Sequence, residues 1–168
     1  MSLTDVKNIK PVARYAEAIK VSRIFSSTPE KAFNGWTRPE YLEQWFGPPG
    51  FKAKILMHDL REGGQWRFLM ESEQGEKFHH FGTFISIKPN QSLVFTWASE
   101  EQVDGWRDIN GDPTLVTVTF DACDAGVKVT VIHENLMSKD ARLALSSGWS
   151  GSLFIFGGYL ALRTNNHE

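Results

Sequence analysis

The amino-acid sequence predicts one α+β domain, in which a curved antiparallel sheet of seven strands surrounds a long C-terminal helix. Six strand-like segments follow one another with short turns between them, which favours antiparallel neighbours. Two short helical segments come after the first strand, and a long helical segment ends the chain. Because 168 residues suffice for one hydrophobic core, we expect a single domain at residues 19–163 after a loose lead-in at residues 1–18.

The first strand and the two short helices are predicted from local signals. Alternating apolar residues indicate a strand at residues 18–25. Thr28, followed by Pro29, is typical of a helix N-terminus. Thr37 and Glu40 have the spacing of a capping box, which predicts a second short helix directly after the first.

The remaining six strands are predicted from alternation and from turn residues. They lie at residues 51–58, 63–72, 77–88, 92–99, 114–122 and 126–135. In three of them the alternation buries one face, namely Leu93, Phe95, Trp97, Val116, Val118, Phe120, Val127, Val129, Val131 and His133. The longest connection, residues 100–113, carries Trp106, and we interpret it as a mobile flap over one end of the sheet.

The last helix is predicted from Ser138, which can cap it, to about Arg163. Its apolar stripe consists of Leu145, Trp149, Phe156 and Leu160. Gly148 and Ser152 fall inside this stripe, and four glycines in the helix together cost roughly 3–4 kcal/mol. Either the small residues let the helix approach the sheet closely, or a hollow remains at mid-helix. We favour the hollow, because wide aromatic side chains on the facing strands hold the layers apart.

Composition excludes several classes of partner. The formal net charge is −2 and no block of Lys or Arg occurs, which argues against binding to nucleic acid. The sequence contains no run of about 18 apolar residues, so we expect no membrane span. The N-terminus lacks a secretion signal. Cys123, expected to be partly buried near a strand end, cannot form an internal disulfide. A cytoplasmic location is therefore expected.

The histidines provide the candidate chemistry. His79 and His80 are adjacent on a strand and point to opposite faces, so we expect no metal site. His133 is in phase with inward-facing valines and could act as a base or as a hydrogen-bond donor to a ligand. A structural hydrogen bond at the turn into the last helix is the favoured role for His133, and no cofactor is expected.

Five blocks of sequence, in this order, carry a resemblance to a known family. They are FNGWTRPEYLEQWFGPPGF (33–51), DLREGGQWRF (59–68), FGTFISIKPNQSLVFTW (81–97), LVTVTF (115–120) and HENLMSKDARLALSSGWSGSLFIFGGYL (133–160). The chain resembles the START-like, or SRPBCC, superfamily with its helix-grip fold. It is most similar to the bacterial branch related to the C-terminal domain of the activator of the 90-kDa heat-shock chaperone ATPase. The resemblance implies a deep apolar cavity between sheet and last helix, but it does not imply one shared activity.

We therefore expect a small cytosolic protein, not favoured to be an enzyme, that binds an apolar or aromatic molecule of lipid-like or polyketide-like character. The candidate ligand-binding residues are Trp45, Phe46, Trp66, Phe68, Phe81, Thr83, Phe95, Trp97, Val118, Phe120, His133, Gly148, Trp149 and Ser152. One alternative is a protein that interacts with the chaperone. Another is a cyclase or hydratase using His133 with a carboxylate such as Asp59 or Glu71. Residues 153–162 contain more apolar positions than one helical stripe can bury, so a homodimer is also an open possibility.

Overall fold

The computed structural model describes residues 18–107 and 111–165, so the expected lead-in lies almost entirely outside the described residues. The strands are β1 (Ile19–Phe25), β2 (Phe51–His58), β3 (Gln65–Ser72), β4 (Lys77–Lys88), β5 (Ser92–Ser99), β6 (Thr114–Cys123) and β7 (Gly126–Glu134). The helices are α1 (Pro29–Thr37), α2 (Pro39–Trp45) and α3 (Lys139–Asn165). A short 3₁₀ turn spans Val103–Trp106. The predicted element order is confirmed.

The seven strands form one antiparallel sheet in the order β1-β7-β6-β5-β4-β3-β2. Each strand from β2 to β7 pairs with its neighbour in sequence, as the short turns predict. The exception is β1, which pairs with β7 so that Val21 lies opposite Val131. The sheet is curled, and α3 packs against its concave side, which confirms the predicted architecture.

The concave face of the sheet forms the core, and its inward residues on β5, β6 and β7 are those that the alternation predicts. Leu93, Val118 and Val131 are almost completely buried in the centre of this face. Burial on β6 ends at Phe120. Cys123 lies beyond that point, at the end of β6, and is exposed, so the expectation that it is partly buried is wrong.

The two short helices differ in how they begin. The Thr28 side chain accepts a hydrogen bond from the Lys31 backbone N–H at 3.2 Å, as predicted for the N-cap of α1. The capping box predicted for α2 is absent, because the N-cap residue is Arg38 and makes no side-chain cap. The Thr37 hydroxyl instead donates to the Phe33 carbonyl inside α1 at 2.8 Å.

Helix α3 begins after Ser138, whose hydroxyl accepts from the Ala141 backbone N–H at 3.0 Å, as predicted. Its C-terminal half is closely packed on the core, with Phe156 completely buried. Gly35 on α1 allows this contact, since a Cβ there would lie 2.7 Å from a ring carbon of Phe156. The close approach of α1 to α3 therefore fills the space at Phe156.

Candidate functional site

A cavity of about 340 Å³ lies between the N-terminal half of α3, the loop after α2 and strands β2 to β5. Its aromatic lining consists of Phe46, Phe51, Phe78, Trp97, Trp106 and Trp149. The polar side chains in the lining are His80, Gln102 and Ser152. None of the described residues that line it is Asp, Glu, Lys or Arg. The wall is therefore apolar and uncharged, with a few polar groups.

The glycines of α3 serve different purposes. A Cβ on Gly148 would meet nothing within 4 Å, because Gly148 faces the cavity. A Cβ on Gly151 would lie 2.7 Å from Pro49, and one on Gly157 would lie 3.1 Å from a phenylalanine ring of β1. Gly158 is exposed and also has open space around it. The hollow thus explains Gly148, and close approach explains Gly151 and Gly157. The cavity lies at Gly148 and Ser152, where the sequence predicts the hollow.

One wall of the cavity is a hydrogen-bonded pair, Trp97 and His80. The indole Nε1–H of Trp97 donates to Nδ1 of His80 at 2.7 Å. Because an indole nitrogen can only donate, Nδ1 is the acceptor and the neutral imidazole carries its proton on Nε2. Burial lowers the pKa of His80 to about 4, so the ring is neutral at pH 7.

A second pair, Trp149 and His133, supports the α3 side of the wall, where the Trp149 ring meets Trp97 edge-on at 5.5 Å between centroids. The indole Nε1–H of Trp149 donates to Nδ1 of His133 at 3.1 Å, and Nε2–H of His133 donates to the Thr114 hydroxyl at 2.7 Å. That hydroxyl in turn donates to the Trp97 carbonyl at 2.8 Å. Burial lowers the pKa of His133 to about 3. Both ring nitrogens are therefore occupied, and His133 orients Trp149 without lining the cavity.

The carboxylates proposed as partners of His133 lie elsewhere. The Asp59 carboxylate binds the Arg61 guanidinium at 2.8 Å on the surface. Glu71 is exposed on β3. Within the described residues, no carboxylate hydrogen-bonds to His133, so the geometry offers no acid–base pair there.

Trp106, from the 3₁₀ turn, completes the wall around His80. Its ring stacks on Trp97 at 4.7 Å between centroids and 17° between planes. The same ring meets the His80 imidazole edge-on, at 4.7 Å and 75°. The part of the predicted flap at residues 108–110 lies outside the described residues, and its mobility stays a prediction.

The structure separates the predicted ligand-binding residues into four groups. Phe46, Trp97, Gly148, Trp149 and Ser152 line the cavity. Trp66, Phe68 and Phe95 line a separate void of about 20 Å³ deeper in the core. Trp45, Val118, Phe120 and His133 are buried in the packed core. Phe81 and Thr83 line a concavity on the outer face of the sheet, so their predicted place in the ligand cavity is wrong.

The polar lining residues missed by the sequence prediction are Gln102, on the connection after β5, and His80. On β4, apolar residues occupy both odd and even positions, so alternation does not identify the inward face. A register shift between Phe84 and Ser86 also interrupts the alternation. The inward set is Phe78, His80, Gly82 and Phe84, which leaves Phe81 and Thr83 outside. His80 lies an even number of residues from Phe78 and from Phe84, and this spacing was the sequence signal that His80 faces inward.

A cluster of potential metal ligands lies where β4 begins and β5 ends. One ligand atom from each of His79, Glu100 and Glu101 falls within 4.8 Å of the others. These groups are already paired, since His79 Nδ1 binds Glu101 at 2.5 Å and Glu100 binds the Arg67 guanidinium at 2.5 Å. The arrangement is that of an exposed ion-pair network. As predicted, His79 and His80 face opposite ways.

The curled sheet, the long helix and the cavity between them define a helix-grip domain of the START-like superfamily, a fold that supports ligand binding in general. The family model described as "Activator of Hsp90 ATPase homolog 1-like protein" matches residues 26–161. The chain therefore belongs to this family. A comparison with curated proteins found no match.

Solved structures share the fold. A protein from Chromobacterium violaceum has a TM-score of 0.77 at 22% identity, covering 86% of this chain and 97% of that one. The AHSA1 protein from Silicibacter pomeroyi has a TM-score of 0.72 at 26% identity, covering 87% and 99%. A protein from Arthrobacter aurescens has a TM-score of 0.72 at 21% identity, covering 87% of each chain. Among the described residues, no helix is long and apolar enough to cross a membrane.

Proposed function

We propose that the protein binds an uncharged apolar or aromatic small molecule in the cavity under α3. The observation that carries this proposal is the cavity itself, about 340 Å³ in volume and walled by aromatic side chains. Cavities that hold small ligands measure about 300–1,000 Å³ and combine an apolar wall with a few polar groups. Apolar area removed from water, at about 25 cal/mol per Å², supplies the affinity.

The rigidity of the wall supports the same proposal. Trp97 and Trp149 are each fixed by a hydrogen bond from the indole to a buried histidine. A side chain held in this way loses little conformational freedom when a ligand binds, so less of the binding free energy is spent on ordering. The proposed location is the cytosol, consistent with a single cysteine that forms no disulfide.

Naphthalene is a suitable first probe, because it is apolar, aromatic and uncharged. We expect it to quench the fluorescence of the tryptophans in the cavity wall on titration at pH 7.5. Native mass spectrometry of the purified protein is a second measurement, and a co-purified neutral molecule is the expected result. An absence of naphthalene binding, together with no co-purified molecule, would refute the proposal.

A matched pair of variants tests whether the cavity is the site. Gly148→Leu places a side chain in the cavity, whereas Gly158→Leu places the same side chain on the exposed side of the same helix. We expect Gly148→Leu to weaken naphthalene binding about tenfold, because Leu covers apolar wall that the probe otherwise buries. Gly158→Leu should leave the affinity unchanged. Both changes favour the helix by similar amounts, so urea unfolding serves as the folding control.

Two further proposals rest on other observations. The family is named after an activator of the Hsp90 ATPase, and assaying that ATPase with and without this protein tests for a chaperone partner. On the outer side of α3, Phe154 and Leu162 are 65% and 67% exposed, which keeps a homodimer as a proposal. Sedimentation equilibrium of wild type beside Phe154→Lys tests it, and a monomeric wild type would refute it.

A further inference from the structure

Two polar side chains that line the cavity are buried, His80 and Ser152, which are 2% and 4% exposed. Ser152 lies inside a helix, where a hydroxyl can donate to the carbonyl of the preceding turn. His80 is on a strand and has no such internal acceptor for its second nitrogen. The two groups therefore differ in what they offer to a molecule in the cavity.

His80 offers one hydrogen-bond donor. Its Nδ1 is occupied by the Trp97 indole at 2.7 Å, which places the proton on Nε2. Among the described residues, no group is hydrogen-bonded to Nε2, and that atom is not among the buried polar atoms enclosed without a partner. The Nε2–H is therefore accessible from the cavity that His80 lines, and a ligand atom that accepts from it gains the affinity of one hydrogen bond.

The charges around His80 restrict what that ligand atom can be. The charged or titratable groups that act on the ring are Glu101 and His79, which hydrogen-bond to each other where β4 begins and β5 ends. The Arg67 guanidinium is paired with Glu100 and lies over Phe81, on the outer face of the sheet. No cation therefore faces the cavity from the described lining, and a carboxylate placed there would lose its hydration without gaining a counter-ion.

We infer that His80 is the polar anchor of the cavity, and that its Nε2–H donates a hydrogen bond to an uncharged acceptor on the ligand, such as a ketone or ether oxygen. This inference rests on the proposed function, because it requires a molecule in the cavity. It adds a selection rule, under which neutral aromatic molecules with one acceptor bind in preference to hydrocarbons and to carboxylates of the same size.

Three probes of one ring system test the rule at pH 7.5, namely naphthalene, 2-acetylnaphthalene and 2-naphthoate. The readout is the ratio of the Kd of naphthalene to the Kd of 2-acetylnaphthalene, measured by calorimetry. His80→Asn is the decisive variant, since its Oδ1 takes the place of Nδ1 and still accepts from Trp97, whereas the Nε2–H donor is lost. We expect the ratio to be about 2- to 12-fold higher in wild type than in His80→Asn, which is the range for one neutral hydrogen bond. The carboxylate should bind wild type about tenfold or more weakly than the ketone.

A second test of the anchor uses wild-type protein and does not require that a variant fold. In ¹⁵N-labelled protein, the Nε2 resonance of His80 should shift on addition of 2-acetylnaphthalene and stay nearly constant with naphthalene. If naphthalene binds but neither the ratio nor the resonance responds, the anchor is refuted and the proposed function stands. A ratio that responds to Ser152→Ala in place of His80→Asn also refutes the anchor. If neither neutral probe binds wild type, the proposed function fails and the anchor fails with it.

Discussion

Acid should destabilise this protein well above the pH at which carboxylates titrate, because two histidines are buried as neutral rings. Burial lowers the pKa of His80 to about 4 and that of His133 to about 3, whereas each has an ordinary value of 6.5. The unfolded chain therefore binds protons first as the pH falls. The stability that the two neutral rings contribute is complete above about pH 6.5 and is lost progressively between pH 6.5 and pH 3–4.

The size of this loss of stability follows from the difference between the histidine pKa values in the folded and unfolded states. At pH 5 the unfolded histidine is almost fully protonated and the folded one is not, which costs about 2 kcal/mol for each ring. The two together predict a loss of about 4 kcal/mol between pH 7.5 and pH 5. His58 acts in the same direction, since burial also lowers its pKa.

Urea unfolding followed by circular dichroism at pH 7.5, 6.5, 5.5 and 5.0 measures this loss. His133→Gln removes one of the titrating rings, and we expect it to halve the pH dependence whatever its effect on stability at pH 7.5. Gly158→Ala, on the open side of α3, changes no titratable group and is the control that should leave the pH dependence unchanged. A free energy of unfolding that stays constant between pH 7.5 and pH 5 would refute the assignment of neutral, buried imidazoles.

Three further substitutions test the packing of α3 and the hydrogen bonds behind the cavity wall. Gly35→Ala should destabilise the protein by about 1–3 kcal/mol in urea unfolding, because its Cβ would lie 2.7 Å from the Phe156 ring. Gly158→Ala, on the open side of α3, should instead gain up to about 1 kcal/mol, and equal effects of the two changes would contradict the close contact. Thr114→Val, nearly the same shape, removes the acceptor of His133 Nε2 and should cost about 1–3 kcal/mol. A neutral result for Thr114→Val would show that His133 finds another partner.

Much of the fold could be predicted because its signals are local. The cap at Thr28 depends on a residue three positions away, and the alternation on β5 to β7 depends on one buried face. The capping box predicted at Thr37 does not form, because the Thr37 hydroxyl donates to an acceptor within α1, the Phe33 carbonyl. A local motif is therefore reliable only where no competing local partner is present.

The candidate site was harder to predict, because its residues meet only in three dimensions. Trp149 lines the cavity, but nothing in the sequence indicates that its indole donates to His133, 16 positions away. The same holds for His80 and Trp97, which lie 17 positions apart on adjacent strands. The inward orientation of His80 was also hard to predict, because apolar residues occupy both odd and even positions of β4.

The sequence by itself determined the order of the elements, the antiparallel sheet and the inward faces of β5 to β7, since short turns and strict alternation leave one low-energy arrangement. Tertiary structure alone decided that Gly151 meets Pro49 while Gly148 faces open space, although both are glycines of one helix. The reason is that the distance between α3 and its surroundings depends on side chains contributed by distant parts of the chain. A cavity is the space that all of them leave unfilled, and no single segment encodes it.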